Sequence, residues 1–521
     1  VTSGATVPGM FSLVLHSHLP WLANHGRWPV GEEWLYQSWA DCYLPITEAL
    51  ERLAEDGHGN VLSLGVTPVL AAQLDDPHCL SGMHHWLGNW QLRAHEATDR
   101  DLSVREHRGS AAALDRFETR WRHGGSAVLR PLIDTGTVEL LGGPLAHPFQ
   151  PLLDPRLRAF SLREGLLDAH TRWGTTPRGI WAPECGFTPG METEYAAAGV
   201  SHFMVDGPAM RGDTSLGRPV WDSDVVAFGR DLPVSYRVWS PKSGYPGHGS
   251  YRDFHTYDHA TGLKPARVTG RSVASNDKAP YDPERAAATV DRHVADFVDV
   301  VRRRLISESD RIGRDALVVA AFDTELFGHW WHEGPQWLGK LMRALPAAGI
   351  TVGTLNDARE QGYVGAPLEL QDSSWGSGKD WRVWAGDDVA DLVALNSEVS
   401  RAALDAVDTA RDARRRAGGP ELRNRVNDQI LRETLMAVAS DWAFMVSKDS
   451  AAGYARERAH VHAHALREIA AAAAAAAGSP VRADELARQW NRADGLFPAL
   501  DARRLPGAHG GREREGAGGR R

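Results

Sequence analysis

The 521-residue chain is long enough for one large barrel with an added domain or for two to four ordinary domains, so length does not choose between them. A formal net charge of −9 with 24% charged residues is mildly acidic and mixed, which argues against nucleic acid or an anionic membrane as partner and fits a neutral substrate. Only Cys42, Cys79 and Cys185 occur, with no CxxC spacing, so a disulfide framework and a structural zinc site are disfavoured and a reducing, cytoplasmic setting is expected. No 18-residue apolar run predicts a membrane span, and residues 1–10 lack the basic and apolar regions of a signal peptide.

The first apolar segment, Phe11-Ser-Leu-Val-Leu15, runs straight into His16-Ser-His18-Leu-Pro. Alternate strand residues point the same way, so His16 and His18 share a face, which suits gripping hydroxyls or ligating a metal. A lone histidine there would read as core; a same-face pair at a strand end weakens that reading. A Gly/Pro-punctuated loop over 25–34 carries Trp28 and Trp34, and a helix-like stretch follows over 43–55. Residues 61–66 read as a strand ended by Thr67-Pro68, and about 70–135 as a helical excursion longer than one crossover needs. A short strand over 137–141 delivers His147 in a Gly/Pro loop. A helix over 156–173 leads to the segment ending Trp181-Ala-Pro-Glu184, and a helix over 190–198 to a strand over 201–206.

From 207 to about 264 the chain is rich in Gly, Pro, Tyr and Asp, with strand-like pieces at 225–228 and 234–239; such a segment inside a barrel reads as a substrate-covering loop. An amphipathic helix over 283–306 has proline in its first turn, where a missing N–H costs nothing. The apolar run Leu317-Val-Val-Ala-Ala-Phe322 then ends in Asp323, Glu325, His329, Trp330 and Trp331, and a helix over 336–347 and a strand over 350–353 follow. Seven or eight strands alternating with helices over 11–365 predict one parallel β/α barrel, with 1–365 as the catalytic unit. After a loop with Trp375, Trp381 and Trp384 the chain is almost continuously helical over 388–497, so 366–500 reads as a helical C-terminal domain. The alanine run 470–477 is helix filler, and the Gly/Arg-rich 507–521 is expected to be disordered.

An apolar, β-branched run that ends abruptly in polar groups delivers them at a strand's carboxyl end, where barrel enzymes keep their chemistry. Glu184 and Asp323 both sit there and form a candidate catalytic pair; the structural alternative is that each caps a helix or joins an ion pair. Nineteen tryptophans and twenty-three histidines tip the balance, because flat indoles stack on sugar rings and imidazoles hydrogen-bond hydroxyls. Their clustering near the polar strand ends favours a carbohydrate cleft.

Five ordered stretches, around His16-Ser-His18, Val138-Glu-Leu-Leu-Gly142, Trp181-Ala-Pro-Glu184, Phe322-Asp323-Thr-Glu-Leu-Phe-Gly-His-Trp-Trp331 and Trp375-Gly-Ser-Gly, resemble the signature regions of glycoside hydrolase family 57, and most of all its 1,4-α-glucan branching enzymes. The likeness extends to 25–34, Gly244-Tyr-Pro-Gly247 and Ser440-Asp-Trp-Ala-Phe-Met-Val446, and spans about 10–465. It implies an α/β fold: an incomplete (β/α)7 barrel with a small helical insertion and a helical C-terminal domain. It also implies a retaining mechanism on α-glucan, without cofactor or metal, with Glu184 as nucleophile and Asp323 as acid/base. A retaining pair stands about 5 to 5.5 Å apart. Burial and the Glu184 charge are expected to raise the pKa of Asp323. By the same resemblance Trp28, Trp375 and Trp384 line the glucan cleft, and His16, His18 and His147 grip the sugar beside the cleaved bond. Arg252, His329 and Trp330 are further substrate contacts, Tyr236 or Tyr245 is the mobile-loop tyrosine, and Glu325 orients Asp323.

Four other readings compete. An α-amylase of the same family would pass the chain to water, whereas a 4-α-glucanotransferase would carry a β-rich C-terminal region. A metal-dependent amidohydrolase-like barrel could use His16, His18 and His147 with a strand-end Asp, but no strand-end lysine ligand accompanies them. A glucan-binding protein with a decayed site is disfavoured because both acids are present. The sequence specifies neither the physiological glucan nor an oligomeric state.

Overall fold

A computed structural model describes residues 7–240, 242–475 and 481–508. Its strands are β1 (Met10–Ser17), β2 (Leu62–Val66), β3 (Val138–Gly142), β4 (Gly179–Ile180), β5 (His202–Asp206), β6 (Arg218–Pro219), β7 (Val226–Arg230), β8 (Leu317–Asp323) and β9 (Thr351–Val352). They form one sheet in the order β6-β7-β5-β4-β3-β2-β1-β8, with β9 paired to β1. Only the β6–β7 pairing is antiparallel. The parallel strands β8, β1, β2, β3, β4, β5 and β7 make the staves of the barrel. Between β7 and β8 there is no ladder; Asp231 N–H donates to Val319 O at 2.8 Å, and Leu317 N–H to Ser215 O at 2.7 Å. The barrel is therefore incomplete at this seam.

The two-residue period of the strands sorts their side chains. Met10 and Val14 of β1 join Leu317, Val319 and Ala321 of β8, with Leu141, Met204, Val226 and Phe228, in a core inside the barrel. Phe11, Leu13 and Leu15 join Val318, Ala320 and Phe322 in the larger core under the helices. Continuing the inward parity brings His16 and Asp323 to the mouth, and the β1–β8 register pairs those two residues directly. Hydrophobic alternation thus decides which polar groups face the cleft.

The insertion after β2 consists of helices Pro68–Asp75, Pro77–Glu96, Arg100–Arg116 and Gly125–Asp134. The C-terminal part holds helices Ala390–Arg416, Arg425–Ala437, Ser440–Ser447, Ala452–Ala475 and Val481–Ala493. Three expectations need correction. The piece at 225–228 belongs to β7, a stave of the barrel and not a covering loop. The piece at 234–239 is not strand but helix Leu232–Trp239, which Asp231 caps by accepting from Val234 N–H at 3.0 Å. The strand at 350–353 shrinks to β9 and pairs only with the start of β1, Met10 opposite Thr351, so it is not a stave. The end of the alanine run beyond 475 and the tail from 509 lie outside the described residues.

Asp231 gathers the seam: besides the cap, its carboxylate accepts from Arg304 Nε at 2.8 Å and from the Thr214 hydroxyl at 3.3 Å. Losing a cap and uncovering part of a buried ion pair costs about 2 to 3 kcal/mol. Asp231→Ala is expected to lower the thermal and denaturant midpoints accordingly, and unchanged midpoints would refute this role for the seam.

Candidate active site

Glu184 follows β4 in a single 3₁₀ turn, Pro183–Cys185, and has φ 60°, ψ 18°. Cys185 (φ 50°), Ala146 (φ 57°) and His147 (φ 54°) also occupy the left-handed region. Non-glycine residues there cost about 1 to 3 kcal/mol each and persist where surrounding contacts hold them, commonly at functional sites. The contacts that hold Glu184 come from outside its own strand. Trp375 Nε1–H donates to Oε2 at 2.9 Å, the Ser440 hydroxyl donates to Oε1 at 2.7 Å, and Trp375 N–H donates to the Glu184 carbonyl at 2.9 Å.

Asp323 ends β8 and touches solvent in the cleft while protein surrounds its carboxyl on the other sides. Desolvation pushes it up to about 6, against the pull of Arg230 and His18. Burial is the expected cause; the Glu184 charge, also expected, does not contribute. Glu184 is itself pushed up to about 7 by burial, although the Trp375 and Ser440 hydrogen bonds work the other way. Glu325, also raised to about 7 by burial and then by Asp323, accepts from His18 N–H at 3.1 Å and from the Tyr43 hydroxyl. Its hydrogen bonds hold the His18 backbone and not Asp323. Arg230, which sequence reasoning passed over, donates to Asp206 at 2.8 Å and lies 5.3 Å over the Trp375 ring.

The three predicted histidines converge. His18 and His147 stack with ring centroids 3.8 Å apart, His16 and His147 lie 5.1 Å apart, and His16 stacks on Trp181 at 4.5 Å. His18 Nδ1 meets the Thr67 hydroxyl at 3.0 Å, and Nε2 meets both Asp441 oxygens at 3.0 Å. Burial alone would lower the His18 pKa, but Asp441, with Glu184 and Glu325, outweighs it and raises it. His16 and His147 are driven well below the usual imidazole range by burial and by His18. The ring whose pKa is raised thus stacks directly on one whose pKa is lowered. His147 Nδ1 is bonded to Ser440 Oγ at 2.9 Å, while His16 Nδ1, His147 Nε2 and Trp181 Nε1 have no hydrogen-bond partner among the described residues.

Other predicted contacts are placed less directly. Trp384 is buried and stacked on Phe149 at 4.7 Å, so it is core and does not line the cleft surface. Arg252 pairs with Glu106 of the insertion at 3.3 Å, which gives its charge a structural partner. Trp28 stands 74% exposed on its loop. His329 and Trp330 pack on Phe254, away from the histidine cluster. Tyr245 is buried, stacks on His293 and donates to Asp296, whereas Tyr236 is exposed on the helix after Arg230. Ser440, Asp441, Thr67 and Tyr43 were not assigned from sequence. Only Ser440-Asp441, a polar pair opening an apolar helix within a stretch of family likeness, gave any signal.

The ligand atoms of His18, His147 and Asp441 lie within 4.8 Å of one another, as do those of His25, His462 and Asp494. Neither donor set suits a metal. Both His18 nitrogens already have partners, the Thr67 hydroxyl and the Asp441 carboxylate, and Asp441 shifts the ring towards its protonated form, in which neither nitrogen has a lone pair to give. His462 Nε2 accepts from Arg458 at 2.8 Å, which leaves the proton on Nδ1 facing Glu433.

The family model for glycosyl hydrolase family 57 matches residues 12–365. The chain belongs to that family. A second model, the C-terminal region of 1,4-alpha-glucan branching enzymes, matches 398–504 of this family 57 member. The chain is 67% identical to a probable 1,4-alpha-glucan branching enzyme of Mycobacterium tuberculosis, over 97% of this chain and 99% of that protein. Among solved structures, the family 57 branching enzyme of Thermococcus kodakaraensis superposes with a TM-score of 0.90 at 28% identity, covering 96% of this chain and 97% of that one. An α-amylase of Thermotoga maritima shares the fold, with a TM-score of 0.81 at 24% identity over 96% of this chain and 99% of that one.

Double displacement needs one carboxyl ionised and the other protonated. With burial raising Glu184 to about 7 and Asp323 to about 6, the form with Glu184 ionised and Asp323 protonated is a minority species, most abundant between those values. The kcat/KM profile is expected to be a narrow bell peaking between pH 6 and 7. The Ser440 hydrogen bond favours ionised Glu184, so Ser440→Ala should raise the Glu184 pKa further; because that group titrates above Asp323, the alkaline limb moves up by about half to one unit and the peak falls severalfold. A broad plateau in the parent, or an unmoved alkaline limb with an undiminished peak in the variant, would contradict this electrostatic picture.

Proposed function

We propose that the chain is a 1,4-α-glucan branching enzyme, which cleaves an α-1,4 bond and transfers the released chain to a glucose 6-hydroxyl to form an α-1,6 branch. One observation carries the reading: Glu184, a barrel carboxylate, is hydrogen-bonded by Ser440, which lies in the segment that matches the C-terminal region of branching enzymes. On this reading 1–365 is the catalytic barrel, and 366–500 is a helical domain that completes the cleft.

Glu184 attacks the anomeric carbon while Asp323 protonates the departing glycosidic oxygen, leaving a covalent glycosyl intermediate. Asp323, now a carboxylate, takes the proton of the acceptor 6-hydroxyl as that oxygen displaces Glu184, and two inversions give net retention. The mechanism calls for a carboxyl separation of about 5 to 5.5 Å. Substrate hydroxyls supply partners for His16 Nδ1, His147 Nε2 and Trp181 Nε1, which the protein leaves without any. Trp28 and Trp375 offer ring faces to the glucan, and Tyr236 is the tyrosine that covers the site. The reaction needs no cofactor. Three buried free cysteines suit a reducing, cytoplasmic setting, and no described helix is long and apolar enough to cross a membrane.

The α-amylase reading differs only in what accepts the glycosyl group. Amylose incubated with the protein, and followed by proton NMR for α-1,6 linkages and by assay for reducing ends, separates the two. Branch points are expected to accumulate with few new reducing ends, and Glu184→Gln to abolish both. Dominant reducing-end release would make the protein an amylase on the same scaffold, and full activity in Glu184→Gln would remove Glu184 from the chemistry.

A further inference from the structure

The residues that follow Asp323 carry an aromatic and polar group not used in the steps above. Trp330 N–H donates to the Glu325 carbonyl at 3.2 Å, so Trp330 rides on the same short loop as Asp323. Its indole is 46% exposed and packs against Phe254, with ring centroids 4.4 Å apart. Lys264 Nζ sits 3.9 Å above the Phe254 ring and forms no hydrogen bond or ion pair among the described residues. Burial brings its pKa down to about 8, the signature of an amine stripped of water without a carboxylate in contact. Nearby, the Asp41 carboxylate has no hydrogen-bond partner among the described residues and stands 4.0 Å from His329 Nδ1, which also lacks one. Asp41 further borders a groove between helices Leu44–Glu55 and Arg100–Arg116.

An ammonium, a carboxylate and an imidazole that converge without bonding one another leave donors and acceptors for a polyol, and the aromatic pair supplies the face on which a sugar ring stacks. The acid/base fixes the side of the bond. It protonates the leaving oxygen and deprotonates the acceptor, so groups on its own loop face the leaving and accepting glucan, whereas those around Glu184 face the sugar that becomes covalently bound. We propose that Trp330, Phe254, Lys264, Asp41 and His329 form a glucose subsite on the acceptor side, where the α-glucan chain that receives the branch is held. The proposal rests on the branching reading and names the place of the second substrate.

Lys264→Met removes the donors and keeps the aliphatic contact with Phe254; Trp330→Ala removes an exposed platform. Each is placed in the active protein and in the Glu184→Gln background, with thermal midpoints checked against the parent. In the Glu184→Gln background each variant is expected to weaken maltoheptaose binding, measured by calorimetry, about fivefold or more. In the active protein the ratio of α-1,6 bonds formed to reducing ends released should fall by a similar factor. Unchanged maltoheptaose affinity in both variants overturns the subsite. A parent that forms no α-1,6 linkages overturns the branching reading instead, and the affinities then still decide whether glucan is held here.

Discussion

The site depends on keeping a carboxylate charged where burial opposes charge. Glu184 is largely buried, and without help it would hold its proton more tightly still. Two donors counter this, Trp375 Nε1–H and the Ser440 hydroxyl, and both come from chain beyond the last stave of the barrel. The barrel alone therefore supplies the carboxyl group but not the means of ionising it. The connection is reciprocal. Ser440 also bonds His147 Nδ1, its N–H donates to the His147 carbonyl at 3.0 Å, and Ala439 bridges Pro148. The left-handed turn at Ala146 and His147 is thus fixed by the same residues that tune Glu184.

Charge alternation extends this logic across the floor of the cleft. Asp441 raises the pKa of His18, while burial, and then His18, push its neighbours His16 and His147 towards the neutral form. Neutral imidazoles can donate from one nitrogen and accept at the other, which a polyol substrate requires. Glu325 belongs to this arrangement more than to Asp323: bonded to the His18 backbone and to Tyr43, it fixes the end of β1 to the loop after β8. A second tie, between the Ser17 and Thr324 hydroxyls at 2.7 Å, does the same one residue earlier on each side.

How much of this could be read from sequence follows from distance along the chain. The His16/His18 face and the abrupt polar end of β8 are local patterns of period two, and Glu184 follows its short strand within a single turn, so each is legible from neighbouring residues. Ser440 and Asp441 lie 256 and 423 residues from their partners Glu184 and His18, and no local pattern announces such a contact. Trp384 was misplaced because an indole near other indoles looks alike whether it faces sugar or Phe149. The segment at 234–239 misled for a different reason. Val234, Tyr236 and Val238 alternate like a strand, but Val234 and Val238 are also four apart on a helix, and Asp231-Leu-Pro is a capping sequence that settles the ambiguity.

The loop that carries Trp28 is tied to the C-terminal helices. Trp21 Nε1 and Asn24 Nδ2 both donate to the Ala493 carbonyl, and Arg458 donates to the Trp21 carbonyl at 2.7 Å. His25 Nε2 meets Asp494 at 2.6 Å. Beneath them Glu433 and Asp494 are both buried, and two adjacent carboxylates in one core would cost far more than a single charge. Burial, and then the Asp494 charge, raise Glu433 well above the carboxylate range, whereas His25 and His462 hold Asp494 below it despite its burial. Of the two acids, Asp494, which faces His25, is the one whose environment favours the charge. The loop that carries Trp28 is thus held in place by buried charged groups on helices more than 400 residues later in the chain, so its conformation depends on those helices being packed against the barrel.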